Sequence, residues 1–124
     1  MFVVFIENNQ ELYCSDNQIT SLEEIKELTN LQILHCENNK LTSLKEIKKL
    51  TNLHLFCCSY NQLKTLKGIE KFNNLIFLSC DHNKLTTLKE ISNLSNLQEL
   101  LTLSIIVGCF SLKTTKNYIV KIIN

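Results

Sequence analysis

The segment LQILHCENNKL at residues 31–41 recurs at an interval of twenty-two residues, as LHLFCCSYNQL at 53–63 and LIFLSCDHNKL at 75–85. A weaker copy, NQELYCSDNQI, precedes it at 9–19, where asparagine replaces the opening leucine. Three ladders of identical residues share this period: Asn17, Asn39, Asn61 and Asn83; Cys14, Cys36, Cys58 and Cys80; Asn8, Asn30, Asn52, Asn74 and Asn96. A fixed period of this length is the signature of a repeat architecture, in which each unit stacks only on its neighbours.

The segment 31–41 resembles the leucine-rich-repeat signature L-x-x-L-x-L-x-x-N-x-L, with Cys36 in the place of the third leucine. The spacing resembles the short class found in bacterial internalins and in phosphatase-regulatory repeat proteins, and the cysteine variant is similar to repeats of giant-virus proteins. The resemblance covers residues 9–100. It implies an α/β solenoid, a right-handed leucine-rich-repeat coil with a parallel concave β-sheet and short 3₁₀ or α turns on the convex side.

Each coil is predicted to begin with a short strand, at residues 33–37 in the second coil. Because side chains alternate between the faces of a strand, Leu34 and Cys36 are expected to point inward and Ile33 and His35 onto the concave face. One repeat cannot bury its own apolar side, so the coils must stack to form a continuous core.

The connections between strands carry two further patterns. The Asn39 amide can both donate and accept, so we expect it to satisfy backbone groups of its own turn and of the next coil. The spacing S/T-x-x-E predicts capping boxes on the convex side: Ser21 with Glu24, Ser43 with Glu46, and Thr87 with Glu90. The third coil has Thr65 with Gly68 instead, which predicts the weakest turn.

The chain is predicted to form a single domain over residues 1–124. Residues 1–8 form an N-terminal edge, residues 9–96 form four coils, and residues 97–124 form a degenerate coil and a C-terminal cap.

Both ends of the repeat are expected to depart from it. Val3 and Ile6 fall where the last convex positions of a preceding coil would lie. After Leu100, Thr102 stands at the cysteine position and Ile105 at the asparagine position, which predicts a bulge or a covering segment. An apolar tail could fold back as a hairpin or a helix, or could mediate dimerisation: Leu112, Tyr118, Ile119, Val120, Ile122 and Ile123.

The ladder cysteines replace leucines, so we expect buried thiols that behave as small hydrophobes. The sequence contains no C-x₂-C spacing of the kind that would indicate a zinc site.

Cys57 differs from the ladder cysteines because its side chain is expected to point outward, with His35 and Ser79 as neighbours. A cysteine beside a histidine could be an activated nucleophile or a metal-binding pair. The sequence shows no third group to orient the histidine, so no catalytic residue, metal or cofactor is predicted, and the chain is not expected to be an enzyme.

Charge and hydropathy narrow the classes of partner. Thirteen basic and twelve acidic residues give a net charge of +1, and every basic residue is lysine. The guanidinium fork that favours nucleic acid is therefore absent. No stretch approaches the roughly 20 apolar residues of a membrane helix, and no basic residue precedes the short apolar N-terminus. We expect a soluble, intracellular, cytoplasmic protein with reduced cysteines, without a membrane, nucleic-acid or small-molecule ligand.

The favoured function is a protein-interaction module that binds an unidentified partner protein through the concave face, where apolar residues lie between acidic and aromatic ones. The predicted contact residues are Glu11, Tyr13, Ile33, His35, Glu37, Leu55, Cys57, Tyr60, Phe77, Asp81 and His82. One alternative is a structural or self-associating repeat fragment that forms homo-oligomers through its C-terminal end. Another is thiol or metal chemistry at Cys57 and His35.

Overall fold

The computed structural model describes residues 5–103 and 119–123; for 5–7, 103 and 119–123 it describes the backbone alone. Seven short strands form one sheet whose order follows the chain: β1 Phe5–Glu7, β2 Glu11–Tyr13, β3 Ile33–His35, β4 Leu55–Cys57, β5 Phe77–Ser79, β6 Glu99–Leu103 and β7 Ile119–Ile123. Because each strand lies beside the next one along the chain and β2 to β6 all pair in parallel, the chain coils as a solenoid, as predicted.

The strands β2 to β6 pair in parallel and keep the sequence period. The first residues of these strands are partners across the sheet: Glu11, Ile33, Leu55, Phe77 and Glu99. The strands are shorter than predicted, but backbone bonds between coils continue beyond them. Cys36 N donates to the Cys57 carbonyl at 2.9 Å, and Asn38 N donates to the Ser59 carbonyl at 3.0 Å.

The core confirms the predicted parity of the strands. Leu34, Phe56 and Leu78 stack behind the sheet and are fully buried. The cysteine ladder lies in the same core, with Cys36, Cys58 and Cys80 fully buried. Each buried large apolar side chain contributes about 1.5–3 kcal/mol, and the sum is available only when coils stack.

The asparagine ladder joins neighbouring coils. Asn61 Nδ2 donates to the carbonyls of Cys36, Cys58 and Ser59 at 3.0, 3.0 and 3.2 Å. Its Oδ1 accepts from Leu41 N at 2.9 Å. The amide therefore donates and accepts as predicted. Besides its own turn, however, it bonds the preceding coil, whereas the sequence predicted bonds to the next coil.

Three convex connections contain 3₁₀ helices, at Glu23–Ile25, Lys45–Ile47 and Lys89–Ile91. The predicted capping boxes are wrong. A buried leucine precedes each helix and makes no side-chain cap, and the hydroxyl accepts from the residue two positions on, as Ser21 Oγ does from Glu23 N at 3.1 Å. The leucine must point into the core, so the helix begins one residue after the leucine rather than directly after the hydroxyl-bearing residue.

Within the described residues, no helix is long and apolar enough to cross a bilayer.

The third coil has no 3₁₀ helix at the equivalent place in the described chain. Gly68 has a φ of 119°, and a Cβ at this position would lie 2.3 Å from the Leu44 carbonyl oxygen of the preceding coil. Both facts require glycine here.

The N-terminal edge differs from the predicted remnant of a coil. The strand β1 pairs antiparallel with β2, so that Ile6 lies opposite Leu12. Asn8 and Asn9 adopt φ values of 52° and 56° in the connecting turn, a conformation that asparagine tolerates well. The chain therefore reverses at the two asparagines. Val3 lies outside the described residues.

The C-terminal end also differs from expectation. The strand β6 keeps the register of the repeat, because Leu101 lies opposite Ser79 and Thr102 is fully buried at the cysteine position. No bulge interrupts residues 99–103. The tail contributes neither a hairpin with β6 nor a helix over 119–123, because β7 pairs with β6 in parallel. Ile105, Leu112 and Tyr118 lie outside the described residues.

Candidate functional site

The concave face consists of the outward side chains within residues 11–16, 33–38, 55–60, 77–82 and 99–101. Ile33, Leu55 and Phe77 form an apolar stripe along it, and each is partly exposed. Glu11 and Glu99 end the stripe at either side. The apolar residues thus lie between acidic ones, as the sequence predicts for the concave face, and the strands present them side by side on one sheet.

A second column begins with two stacked rings. The Tyr13 and His35 rings lie 5.0 Å apart at an interplanar angle of 11°. The Tyr13 hydroxyl donates to Glu11 Oε2 at 2.7 Å. The tyrosine thus holds one face of His35 while its own hydroxyl is fixed by the carboxylate.

Glu37 is the centre of a cluster that sequence reasoning missed. His35 Nδ1 lies 2.8 Å from Glu37 Oε1, and Ser15 Oγ donates to Glu37 Oε2. The Cys57 sulfur lies within 4.8 Å of an oxygen of the same carboxylate. A third group beside His35 and Cys57 therefore exists, although none was expected. His35 ends β3 and Glu37 follows it two residues later, so alternation along extended chain places both side chains on one face, and this spacing could have revealed the cluster.

Cys57 lies opposite His35 and Ser79 on the neighbouring strands, as predicted, but only 6% of the residue is exposed. Burial, the Glu37 charge and a hydrogen bond to Glu37 raise the pKa of Cys57 to about 12. A thiol with this pKa stays protonated at neutral pH, which disfavours the nucleophile hypothesis.

The ladder cysteines are equally unreactive. Burial raises the pKa of Cys14 to about 11 and that of Cys80 to about 12, and it raises the pKa of Cys36 and Cys58 well above the ordinary value. No disulfide joins any of the five cysteines within the described residues. The ladder therefore acts as core, as predicted.

A second polar cluster surrounds Asp81, which is 4% exposed. Ser59 Oγ and Ser79 Oγ donate to Asp81 Oδ1 at 2.5 and 3.0 Å, and His82 Nδ1 lies 2.7 Å from Oδ2. Burial works to raise the pKa of Asp81, but the bonds from Ser59, His82 and Ser79 outweigh it and hold the pKa below the ordinary value. Asp81 is therefore a preformed anion.

This second cluster is not arranged as a serine protease triad. In such a triad the serine donates to the histidine and the histidine to the aspartate. Here both hydroxyls donate to the aspartate itself. The arrangement stabilises charge and does not activate an oxygen.

Tyr60 and His82 form an exposed platform beside Asp81. Their rings lie 4.1 Å apart at 7°, and Tyr60 is 54% exposed. Both residues have positive φ values, 55° and 52°, like Asp16 and Asn38 at the equivalent turns. A tyrosine in this backbone region is uncommon, and such conformations cluster at functional sites.

Charge is segregated between the faces. The concave segments contain five carboxylates and no lysine: Glu11, Asp16, Glu37, Asp81 and Glu99. The ten lysines between residues 8 and 102 all lie in the connections between strands: Lys26, Lys40, Lys45, Lys48, Lys49, Lys64, Lys67, Lys71, Lys84 and Lys89. A near-neutral chain therefore has an acidic concave face.

Comparison with known proteins agrees with this fold. No curated protein matches the sequence significantly. Among solved structures, a leucine-rich-repeat protein of Leptospira interrogans is 44% identical with a TM-score of 0.67, covering 73% of this chain and 24% of the other. Internalin C2 of Listeria monocytogenes is 30% identical with a TM-score of 0.69, covering 73% and 40%.

A third structure is the functional domain of InlJ from Listeria monocytogenes, described as including a cysteine ladder. It is 27% identical with a TM-score of 0.70, covering 82% of this chain and 23% of the other. The chain thus spans less than half the length of each of these structures. The family model for leucine-rich repeats in two copies matches residues 10–49 and 29–72, which together span half of the sequence. The chain belongs to the leucine-rich-repeat family.

Proposed function

We propose that this protein is an interaction module that binds a lysine- or arginine-bearing segment of a partner protein on its concave face. The observation that carries the proposal is the segregation of charge, with five carboxylates and no lysine on the concave segments. A cationic partner is attracted to such a surface, and a basic patch that meets an acidic one also excludes wrong partners.

The carboxylates are positioned before any partner arrives. Glu37 is held by Ser15 and His35, and Asp81 by Ser59 and Ser79. A preorganised site loses little conformational freedom on binding, so more of the interaction energy appears as affinity. This fixed geometry favours recognition by shape and charge, without a catalytic step.

Apolar and aromatic groups complete the proposed surface. The stripe of Ile33, Leu55 and Phe77 offers apolar surface between the acidic residues, and this surface would lose its water when a partner binds. The exposed ring of Tyr60 can stack on a cationic side chain while Asp81 lies beside it. These residues are the expected centre of the interface, and Glu11, Tyr13 and His82 form its rim.

Selection of peptides from a random display library tests the proposal. The expected result is enrichment of lysine and arginine, with binding that weakens at high salt. The variant Glu37→Lys should lose the selected peptides, and the matched convex variant Glu24→Lys should keep them. Enrichment of acidic or uncharged peptides, or equal binding by both variants, would contradict the proposal.

A second proposed role is self-association through the C-terminal end. It is favoured by the position of β7 as the last strand of the sheet within the described residues, since a strand at a sheet edge can pair with another chain. The competing proposal is that residues 97–124 form a cap. Light scattering should show a concentration-dependent oligomer if β7 mediates assembly. A monomer that aggregates only after deletion of residues 112–124 would support the cap instead.

We also propose that the protein works in a reducing compartment, in agreement with a ladder of buried free thiols. Thiol counts on denatured protein, trapped directly from cells of the source organism, test this. All six cysteines should react. A lower count would reveal disulfides and contradict the proposal.

A further inference from the structure

We infer that His35, Glu37 and Cys57 bind one zinc-class transition-metal cation on the concave face. This site goes beyond the proposed partner binding and does not depend on it. Sequence reasoning kept metal chemistry at Cys57 and His35 only as an alternative, because it considered the two residues without the Glu37 carboxylate beside them.

The three donors have the separation that such a cation needs. One imidazole nitrogen, one carboxylate oxygen and the Cys57 sulfur all lie within 4.8 Å of one another. In a tetrahedral zinc site with bonds of about 2.0–2.3 Å, neighbouring donors are roughly 3.3–3.8 Å apart. Closing the site therefore requires movements of about 1 Å, which side-chain rotation can supply.

One hydrogen bond and the short separations show that the three donors already lie close together. His35 Nδ1 lies 2.8 Å from Glu37 Oε1, and the Cys57 sulfur lies within 4.8 Å of an oxygen of the same carboxylate. On binding a divalent cation, the thiol releases its proton to solvent, and the imidazole stays neutral with its proton on the nitrogen that does not bind the metal. The cation then satisfies the same three groups.

Neighbouring residues hold the donors in place. Strand pairing fixes His35 opposite Cys57, the Tyr13 ring stacks on His35, and Ser15 Oγ donates to the second oxygen of Glu37. Such contacts around a metal site orient its ligands and increase its affinity for the metal. His35 and Glu37 side chains are 27% and 28% exposed, so a fourth ligand can approach from solvent.

The donor set selects the class of cation. Thiolate and imidazole favour zinc and copper, whereas calcium and magnesium prefer oxygen ligands. The surrounding carboxylates add an electrostatic attraction that applies to any cation. The thiol and imidazole therefore determine the preference for zinc-class cations over calcium and magnesium.

Calorimetric titration of the reduced full-length chain with Zn²⁺ in metal-free buffer tests the inference. We expect one cation per chain and no comparable heat with Mg²⁺. The variants Cys57→Ser and His35→Gln should each weaken binding at least about 10- to 100-fold, and Ser15→Ala should weaken it by a smaller factor. The controls are His54→Gln, which removes an exposed histidine outside the cluster, and Cys14→Ala, which removes a ladder thiol.

Cobalt substitution supplies a second readout that does not depend on affinity. Bound Co²⁺ should show a thiolate charge-transfer band in the wild-type chain and in the His54→Gln control, and the band should vanish in Cys57→Ser. Circular dichroism verifies that each variant is folded. Lack of Zn²⁺ uptake by the wild-type chain, or uptake that survives Cys57→Ser unchanged, would overturn the inference. Neither result would bear on peptide binding, which is measured without metal.

Discussion

The two sides of each strand differ in how closely they follow the repeat. The inward residues are nearly identical from coil to coil, as in Cys36, Cys58 and Cys80, and they are fully buried. The outward residues beside them change from coil to coil, and they form the Glu37 and Asp81 clusters. The repeated side is required by the fold, whereas the varied side is free to acquire a specific surface.

The asparagine ladder provides the largest test of this comparison. Asn61→Ala removes an amide that serves the carbonyls of Cys36 and Cys58 and the Leu41 N–H, and it leaves them unsatisfied in a buried place. We expect unfolding by urea to show a loss of about 3–4 kcal/mol. The matched variant Asn52→Ala removes one exposed bond, to the Thr29 carbonyl, and should cost under about 1 kcal/mol. Equal losses would show that burial does not distinguish the two ladders.

Gly68 departs from the repeat on the convex side for a structural reason. Gly68→Ala places a Cβ against the Leu44 carbonyl at a φ of 119°. The expected cost is about 2–3 kcal/mol in the free energy of unfolding. The equivalent position in the first coil is the exposed Glu24, where alanine should change stability by less than about 0.5 kcal/mol. A neutral Gly68→Ala would show that this connection can move away from the second coil.

The smallest expected effect concerns the ionisation of Asp81. Hydrogen bonds lower its pKa in the folded chain, so Asp81 contributes stability above the ordinary pKa of 3.8 and loses it as the pH falls through the folded value. Ser59→Ala removes the largest of the lowering bonds, so the pKa should rise. An NMR titration of the carboxyl carbon measures the change, with Ser43→Ala on the convex side as the control. An unchanged pKa in Ser59→Ala would contradict the assigned network.

Much of the fold followed from the period of the sequence, because every coil repeats the same inward residues. Leu34, Phe56 and Leu78 could be placed in the core from spacing alone. The edges could not be predicted in this way. Ile6 belongs to no repeat, and its antiparallel pairing depends on the turn at Asn8 and Asn9. The capping prediction was wrong because the local motif competes with the need to bury the preceding leucine.

The candidate site was predicted as a surface and not as a set of contacts. Register placed His35 beside Cys57 and Tyr60 beside His82, because residues twenty-two apart are neighbours. The bonds from Ser59 and Ser79 to Asp81 depend on side-chain rotamers, which the period does not specify. The contacts of Glu37 also depend on rotamers, since they involve side chains of three coils: Ser15, His35 and Cys57.

The division between a repeated core and a varied binding face is tested most directly on one strand, β5. Purified Phe77→Ser and Leu78→Ala variants should be compared for stability and for binding to a lysine-rich peptide selected by the wild-type chain. The outward Phe77→Ser is expected to unfold close to the wild type and to lose the peptide. The inward Leu78→Ala is expected to lose about 2–5 kcal/mol of stability and, under conditions where it is still folded, to keep the peptide. Full peptide binding by Phe77→Ser would contradict the account.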